Sequence, residues 1–480
     1  MVAREQRPAA IPSTPNVQCS TLTVLLALLH SACFIPLLLA DTHYVDIDSA
    51  DPQHPYTNWA TAATVIQQAV DAAAAGDTVL VADGEYETGG RPHPGKVQMC
   101  RVCITNAITL VSRNGPDGAV IKGDGSEEDH EVRCAYVAAG AVIAGFTLTN
   151  GHINAHGGST FGGGAFCETG GMVSNCLVTA CNGGVHGGGV RGGTVTHSRL
   201  THNAAMHGGG ASGGNQISCL IAFNHSTSRG GGVDHSLVRR CTVVGNTSAG
   251  EGGGVACATI ENCIIWDNRG ALPDSEYDPN CSIRFSCTRP LPEGEGNIDA
   301  DPQFASLGYL APTSLCIGAG ITTNDVVSDL DGNPWLDPPS MGCREWYPVS
   351  ATGGLAVAIE HDHNAVAVGF TLDMFADIEG AATRSEWTLD DGTVLTNQLF
   401  VSHAWTATGT YDVVLTAFNT DHPTGVSATQ QINVVERPIR YVDVAGTNPV
   451  APYVTWDTAA LRIQDAIDAA VIPGSVVWVN

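Results

Sequence analysis

Five Gly-Gly-Gly triplets recur along the chain at nearly constant intervals, and this period constrains the fold more than any other feature. The triplets begin at Gly162, Gly187, Gly208, Gly230 and Gly252, at intervals of 25, 21, 22 and 22 residues. A period near 22 residues is typical of solenoids, in which each repeat forms one coil that stacks on the previous one. Three consecutive glycines would destabilise every helix of a helical solenoid. The period therefore predicts coils made of short β-strands and tight turns.

Three further columns of residues recur with the triplets. A small residue occupies Cys176, Ser198, Cys219, Cys241 and Cys263. An apolar residue follows two positions later at Val178, Leu200, Ile221, Val243 and Ile265. An asparagine closes each repeat at Asn182, Asn203, Asn224, Asn246 and Asn268. Because residues i and i+2 share one face of a strand, the first two columns should point inward together, and stacked asparagines can hydrogen-bond along their column.

The net charge of the chain makes some classes of binding partner unfavourable. The 480-residue chain has a formal net charge of −27, which makes DNA or RNA an unfavourable partner. An anionic polysaccharide would also be repelled unless a divalent cation bridged the two molecules. No cofactor is expected, and calcium is the one ion that the composition leaves open. The length corresponds to two or three domains.

The first forty residues have the features of an export signal. Arg4 and Arg7 precede an apolar run over residues 22–40, which ends on the small residue Ala40. We expect residues 1–40 to be a cleaved signal peptide, with an uncleaved membrane anchor as the alternative. Sixteen cysteines also fit an exported protein better than a reducing cytosol. We therefore expect an extracellular or cell-surface location, with no membrane span after signal removal.

The segment after this signal resembles the entry of bacterial pectin-lyase-like right-handed β-helix proteins. The resemblance is carried by residues 44–46 (YVD), Trp59 and residues 66–86, which contain the sequence GDTVLVADGEY. We expect residues 59–75 to form a short amphipathic helix. The resemblance implies an all-β, right-handed parallel β-helix over residues 41–346. Residues 41–83 would form its N-terminal cap, because a first coil without a cover exposes apolar side chains and strand edges.

The far end of this region, residues 299–346, resembles the choice-of-anchor Q segment that closes many such β-helices. Residues 301–304 (DPQF), 329–334 (DLDGNP) and 342–343 (GC) carry the resemblance. The resemblance implies a disulfide between Cys316 and Cys343. Cys281 and Cys287 are further disulfide candidates, because they lie in a predicted loop outside the stacked columns.

A different pattern occupies residues 350–436. The motifs at 387–392 (WTLDDG), 403–405 (HAW) and 409–411 (GTY), with the alternating apolar residues that follow, resemble a PKD domain. Such a domain is an immunoglobulin-like β-sandwich, and alternation fits a sheet with one buried face. In exported bacterial proteins these modules act mostly as spacers or weak adhesive units, and a rigid spacer is the simpler interpretation.

Residues 440–480 repeat the beginning of the β-helix. Tyr441, Trp456 and Ile463 each fall 397 residues after Tyr44, Trp59 and Ile66. We expect this segment to be the start of a second β-helix, and the sequence to be a fragment of a longer protein.

Candidate binding residues lie immediately before the glycine triplets. These positions hold Phe161, His186, His207, Arg229 and Glu251, which should line one edge of the solenoid in order. Histidines on successive coils could bind a metal or sugar hydroxyls, although solvated turn positions are the commoner case. Trp266 should face outward, where it could stack on a sugar ring, although packing against the closing segment is the preferred interpretation.

No catalytic constellation is evident in the repeats. Their acidic residues fall at different points around the coil, whereas glycoside hydrolysis needs two carboxyl groups and calcium-assisted lyase chemistry needs several acids at one ion. We therefore expect an exported, non-catalytic protein for adhesion or carbohydrate binding, with a polysaccharide or cell-surface glycan as partner. The alternative is a polysaccharide lyase or glycoside hydrolase whose acids come from the loops at 84–135 and 269–300.

Overall fold

The computed structural model describes residues 40–96, 98–125, 131–154, 161–272, 275–323, 326–348 and 351–480. Apart from Ala40, the predicted signal segment lies outside these residues. Three long parallel sheets dominate the described chain, and successive strands of the sequence alternate between them. This arrangement confirms the predicted right-handed parallel β-helix.

The three sheets run along the solenoid, and their strands pair in parallel with strands one coil away, except that Arg91–Pro92 pairs antiparallel with Met99–Ile104. Sheet 1 contains Thr42–Val45, Thr78–Val81, Thr109–Ser112, Val142–Ala144, Met172–Ser174, Thr194–Thr196, Asn215–Ile217, Leu237–Arg239, Thr259–Glu261 and Ser282–Arg284. Sheet 2 contains Gly84–Tyr86, Ala119–Lys122, Thr147–Thr149, Leu177–Thr179, Arg199–Thr201, Leu220–Ala222, Thr242–Val244, Ile264–Trp266 and Cys287–Thr288. Sheet 3 contains Arg91–Pro92, Met99–Ile104, Val132–Val137, Ala165–Cys167, Val190–Arg191, Ala211–Ser212, Val233–Asp234 and Val255–Ala256.

The predicted columns of small and apolar side chains lie inside the solenoid. Cys219, Cys241 and Cys263 are fully buried, and the Cys241 and Cys263 sulfurs each accept the backbone N–H of the preceding member at 3.4 Å. The aliphatic column is fully buried beside them. Equivalent side chains of successive coils are therefore in contact, as a 22-residue stacking period requires.

The asparagine column forms a hydrogen-bonded ladder, with one correction at its start. Asn203 Nδ2 donates to Asn224 Oδ1 at 3.0 Å, and the same bond continues through Asn246 to Asn268. Asn182 is not a member, because it pairs with Ala204, and Cys181 takes the equivalent position. The 25-residue interval between the first two triplets marks this irregular coil, so the predicted membership of Asn182 is wrong.

The N-terminal cap consists of the first strand of sheet 1, a 3-10 turn at Trp59–Thr61 and helix α1 (Ile66–Ala72). The buried face of α1 includes Ile66, Gln67 and Val70. Gln67 Oε1 accepts the backbone N–H of Cys103 at 2.7 Å, and this bond joins the helix to the first strand pair of sheet 3. The helix therefore closes the open end of the core with a polar anchor as well as apolar contacts.

A β-sandwich follows the solenoid and packs against it. One sheet contains Ala356–His361, Leu372–Glu379 and Phe400–His403; the other contains Ala365–Ala367, Val426–Val435, Gly409–Phe418, Arg384–Leu389 and Val394–Thr396. Trp387 and Trp405 fill its core. Phe223, beside sheet 2, contacts Phe375 of the sandwich edge to face, with ring centroids 4.9 Å apart. The sandwich is thus held against one side of the solenoid.

The remaining elements are short. Three strands at the triplet edge, Ala204–His207, His225–Arg229 and Thr247–Ser248, form a small parallel sheet. A hairpin at Phe304–Ser306 and Tyr309–Leu310 belongs to the closing segment. The C-terminal segment contains Ile439–Val442, a 3-10 turn at Trp456–Thr458, helix α2 (Ile463–Asp468) and Val476–Val479. No helix among the described residues is both long and apolar enough to cross a bilayer.

Candidate functional site

The residues before the glycine triplets stack in one file, as their spacing predicts. His186 is bridged to Phe161 on one side and to His207 on the other, and His207 pairs with Arg229. The His186 ring centroid lies 5.0 Å from that of His207. The backbone carbonyl of Glu251 accepts the N–H of Gly230 at 3.2 Å, which extends the file by one coil.

The glycine triplet explains why this file lies beside the outer face of sheet 3. The first glycine of each triplet has a positive φ, as at Gly187, where φ is 66° and an added Cβ would lie 2.2 Å from the carbonyl oxygen of Val190. Such a sharp turn needs glycine. It brings the residue before each triplet next to the residue that follows the triplet by two positions. We call the resulting surface the histidine face: Phe161, Phe166, His186, Arg191, His207, Arg229, Asp234 and Glu251.

One end of the histidine face is aromatic. The rings of Tyr136 and Phe166 are nearly parallel, with an interplanar angle of 7° and centroids 6.1 Å apart. Phe161 stacks beside Phe166 at 6.4 Å, and the Arg191 guanidinium lies 5.8 Å from the Phe161 centroid. Sequence reasoning missed Phe166 and Arg191, because the triplet turn brings them to the file only when it folds. Tyr136 is buried, whereas Phe161 and Phe166 are partly exposed, and partly exposed rings are suited to contact with the apolar faces of sugars.

The two histidines of this face are neutral near pH 7. Burial, with additional repulsion from His207 and Arg191, lowers the pKa of His186. Burial also lowers the pKa of His207, although Asp234 opposes the change. Within the described residues, the Nδ1 atoms of both rings are buried without a hydrogen-bond partner. Neutral imidazoles can donate and accept hydrogen bonds, so the rings can serve polar ligands such as hydroxyl groups.

Trp266 does not join this surface. It is only 6% exposed and packs in the cluster that contains Phe304 of the closing segment. The Arg289 guanidinium lies 4.4 Å from its ring centroid. Trp266 is therefore not available to a sugar ring, and packing against the closing segment, the preferred interpretation, is the observed arrangement. The closing segment covers this part of the outer face of sheet 2.

The predicted disulfides are not formed in the structure. Cys281, Cys287, Cys316 and Cys343 are all free thiols. The Cys287 thiol lies beside that of Cys316, and this contact, together with burial, raises the pKa of Cys287. Cys343 instead contacts Thr242 and Arg344. The closing segment thus brings Cys316 to the last strand of sheet 2, whereas the resemblance implied a pairing with Cys343.

A second concave region lies between the solenoid and the sandwich, with a volume of about 740 Å³. Arg289 Nη2 lies 2.9 Å from Asp267 Oδ1, and Arg289 Nε lies 3.7 Å from Glu276 Oε1. Burial raises the pKa of Asp267 to about 6 and that of Glu276 to about 8, although Arg289 opposes both shifts. Glu360 and Asp373 of the sandwich also line this acidic cleft.

Glu276 has a structural task that accounts for its burial. Its Oε2 atom accepts the backbone N–H of Asn268 at 2.9 Å and the Asn268 side-chain N–H at 2.8 Å. Asn268 is the last asparagine of the ladder, so its donors have no asparagine on a following coil. Glu276 therefore caps the amide ladder. Sequence reasoning could not place it, because it lies in the aperiodic loop after the last repeat.

Comparison with known proteins gives two findings. Residues 354–434 match the family model of the PKD domain, which identifies the sandwich. The solved structures that resemble the chain include the crystal structure of pectate lyase Pel9A, with 14% sequence identity and a TM-score of 0.42 over 64% of this chain and 96% of that one. No curated protein matches the chain.

Proposed function

We propose that this chain is an exported, non-catalytic surface or extracellular protein that binds polysaccharide through the histidine face. The observation that carries the proposal is the unbroken file of rings from Phe161 through His186 to His207. The file offers stacking surfaces at one end and hydrogen-bonding imidazoles in the middle. Because the file follows the solenoid axis, an extended chain can lie along it and contact several coils at once.

The net charge of −27 decides which polysaccharides are expected. A neutral polysaccharide is not repelled by the acidic protein, whereas an acidic polysaccharide needs calcium to bridge it to the protein. The PKD domain acts as a spacer that is packed against the solenoid. The predicted signal peptide at 1–40 supports the exported location and remains a prediction.

Binding is tested by affinity electrophoresis against a panel of neutral and acidic polysaccharides, with and without calcium. We expect a retarded wild-type chain, and an affinity at least about tenfold lower after His186→Ala and His207→Ala are combined, which corresponds to about 1.4 kcal/mol. His363→Ala, an exposed histidine of the sandwich, is the matched control and should bind normally. Equal retardation of the double variant and the wild type would contradict the proposal.

The acidic cleft is where a polysaccharide lyase or glycoside hydrolase activity would lie. A carboxyl group with a pKa near 6, as at Asp267, fits general acid catalysis. Both carboxylate oxygens of Glu276 already contact partners, however, which favours a structural role. The same panel decides the question: sustained release of reducing ends or unsaturated products, abolished by Asp267→Asn, would replace binding with catalysis as the function.

A further inference from the structure

Three residues with different metal-binding groups converge at the charged end of the histidine face. Asp234 ends a strand of sheet 3, and His235 follows it in the turn. Cys257 occupies the position equivalent to His235 one coil later, and both residues have a positive φ near 50°. A carboxylate oxygen, a ring nitrogen and the thiol sulfur of these residues all lie within 4.8 Å of one another.

The combination of oxygen, nitrogen and sulfur selects among metals. Calcium and magnesium prefer oxygen ligands alone, whereas zinc is bound by thiolate, imidazole and carboxylate groups. Zinc–ligand bonds of roughly 2.0–2.3 Å in a tetrahedron need ligand atoms about 3–4 Å apart, so small side-chain movements suffice here. The Cys257 thiol donates a hydrogen bond to Asp278 Oδ2 at 3.4 Å, and this carboxylate opposes loss of the thiol proton. The charge of the bound ion must therefore outweigh this repulsion when the thiolate forms.

A cation already occupies this position. Arg229 Nε lies 3.0 Å from Asp234 Oδ1, and its Nη2 atom lies 3.4 Å from His235 Nδ1. Asp234 is 1% exposed, and a buried carboxylate without a counter-charge would be strongly destabilising. The Arg229 side chain is 37% exposed, so it can move into solvent if another cation replaces it. Arg229 therefore contacts two of the three residues that would bind a metal ion.

We propose that Asp234, His235 and Cys257 form a zinc site that Arg229 fills when no metal is bound. Zinc binding would displace the guanidinium into solvent and convert the Cys257 thiol to a thiolate, whose proton passes to water. The exposed His235 ring gives the ion its path of entry. The fourth position is open to water. This inference does not depend on polysaccharide binding.

Cobalt titration of the purified full chain tests the site, because cobalt replaces zinc and reports thiolate coordination by a charge-transfer absorption band. We expect one equivalent of cobalt to produce the band and one equivalent of zinc to remove it. His235→Ala should weaken binding at least about tenfold, and Cys257→Ser should abolish the band. Arg229→Ala should strengthen binding about tenfold, because the competing cation is removed.

The matched control is Cys281→Ser, since Cys281 also contacts Asp278, with its sulfur 3.6 Å from Asp278 Oδ1. This variant should keep the band. Circular dichroism of every variant confirms that the solenoid is folded, and the exposed position of His235 keeps at least one variant informative. A band that persists in Cys257→Ser, or cobalt affinity that is unchanged in His235→Ala, would overturn the proposal.

Discussion

The cap at 41–83 and its copy at 440–480 have the same local geometry. The rings of Tyr44 and Trp59 meet edge to face at 4.8 Å, and those of Tyr441 and Trp456 do so at 4.7 Å. Parallel bridges join Val45 to Ala63 and Val442 to Ala460, exactly one repeat of 397 residues apart in sequence. The motif therefore folds in the same way at both ends of the chain.

The two copies differ in what covers them. Ile66 of helix α1 is 2% exposed, whereas the equivalent Ile463 of α2 is 51% exposed. Val70 is 4% exposed and its equivalent Ile467 is 49% exposed. The coils of the solenoid lie on the first helix, and within the described residues no coil lies on the second. The local geometry that both copies share is therefore formed by the motif itself, whereas the burial of the helix requires the stacked coils of the solenoid.

The largest expected difference is in the response of the two helices to truncation of an equivalent side chain. Ile66→Ala should lower the free energy of unfolding of the solenoid by about 3 kcal/mol, because it leaves a cavity in a packed core. Ile463→Ala should cost less than about 1 kcal/mol, because half of the side chain is already in water. Urea unfolding of the two variants measures both values. Similar losses would show that α2 is covered in solution.

The second largest expected difference is in the rate of amide hydrogen exchange in the equivalent strands of the two copies. Thr78–Val81 is paired on both sides, whereas among the described strands Val476–Val479 is paired only with Ile439–Val442. We expect the amides of the first strand to exchange at least about a hundred times more slowly, which corresponds to about 2.7 kcal/mol of additional protection. Peptide-level mass spectrometry resolves the two segments. Equal protection would break the comparison.

Acid should destabilise the first copy through a residue that the second lacks. Burial alone would raise the pKa of Asp77, but the N–H groups of Asp41 and Ala74 and the His43 ring outweigh it and lower the pKa. Strand pairing places Ser475 at the equivalent position, because Thr42 pairs with Thr78 in the first copy and Ile439 pairs with Val476 in the second. A carboxyl group whose pKa is lower in the folded state stabilises above its unfolded pKa of about 3.9, and this contribution is lost as pH falls through the folded value.

Asp77→Asn should therefore reduce the free energy of unfolding at pH 7 by about 1–2 kcal/mol, and the difference from wild type should begin to decline below about pH 4 and be lost only below the folded pKa of Asp77. Unfolding measured across this pH range gives the result. Asp468→Asn, at an exposed acid of α2, is the control and should change stability by less than about 0.5 kcal/mol at every pH. A pH-independent loss for Asp77→Asn would contradict the expected role of its charge.

The smallest expected difference concerns the aromatic pairs. Trp59→Leu and Trp456→Leu should each remove about 1 kcal/mol of local stability, because the ring contacts are nearly identical. Trp59 should cost about 0.5 kcal/mol more, since the Arg113 guanidinium also lies 5.4 Å from its centroid. Exchange of the Asp46 and Asp443 amides, which bond to Ala63 and Ala460 at 2.8 and 2.9 Å, reports each site. The excess should disappear in an Arg113→Ala background.

Periodic residues were predictable because a constant interval determines their neighbours. The cysteine and aliphatic files follow directly from the 22-residue spacing, and so does the order of His186, His207 and Arg229. The exception is Asn182, where an irregular interval shifted the register by one residue. The presence of the cap helix was also predictable from its apolar stripe, but its predicted bounds of 59–75 were too wide. The structure has a 3-10 turn at Trp59–Thr61 and a helix only at Ile66–Ala72.

The sequence by itself determined the coil, the inward files, the cap motif and the position of the sandwich, because each depends on local period or short-range pattern. Only the tertiary structure decided that Trp266 is covered, that Glu276 caps the asparagine ladder, that Cys316 lies beside Cys287, and that Asp234, His235 and Cys257 converge. The covering of Trp266, the cap by Glu276 and the contact between Cys316 and Cys287 all involve segments outside the repeats. Because these segments have no periodic pattern, the sequence does not predict where they lie on the surface of the solenoid. The convergence at Asp234 depends on which side chains the turns of adjacent coils present to one another.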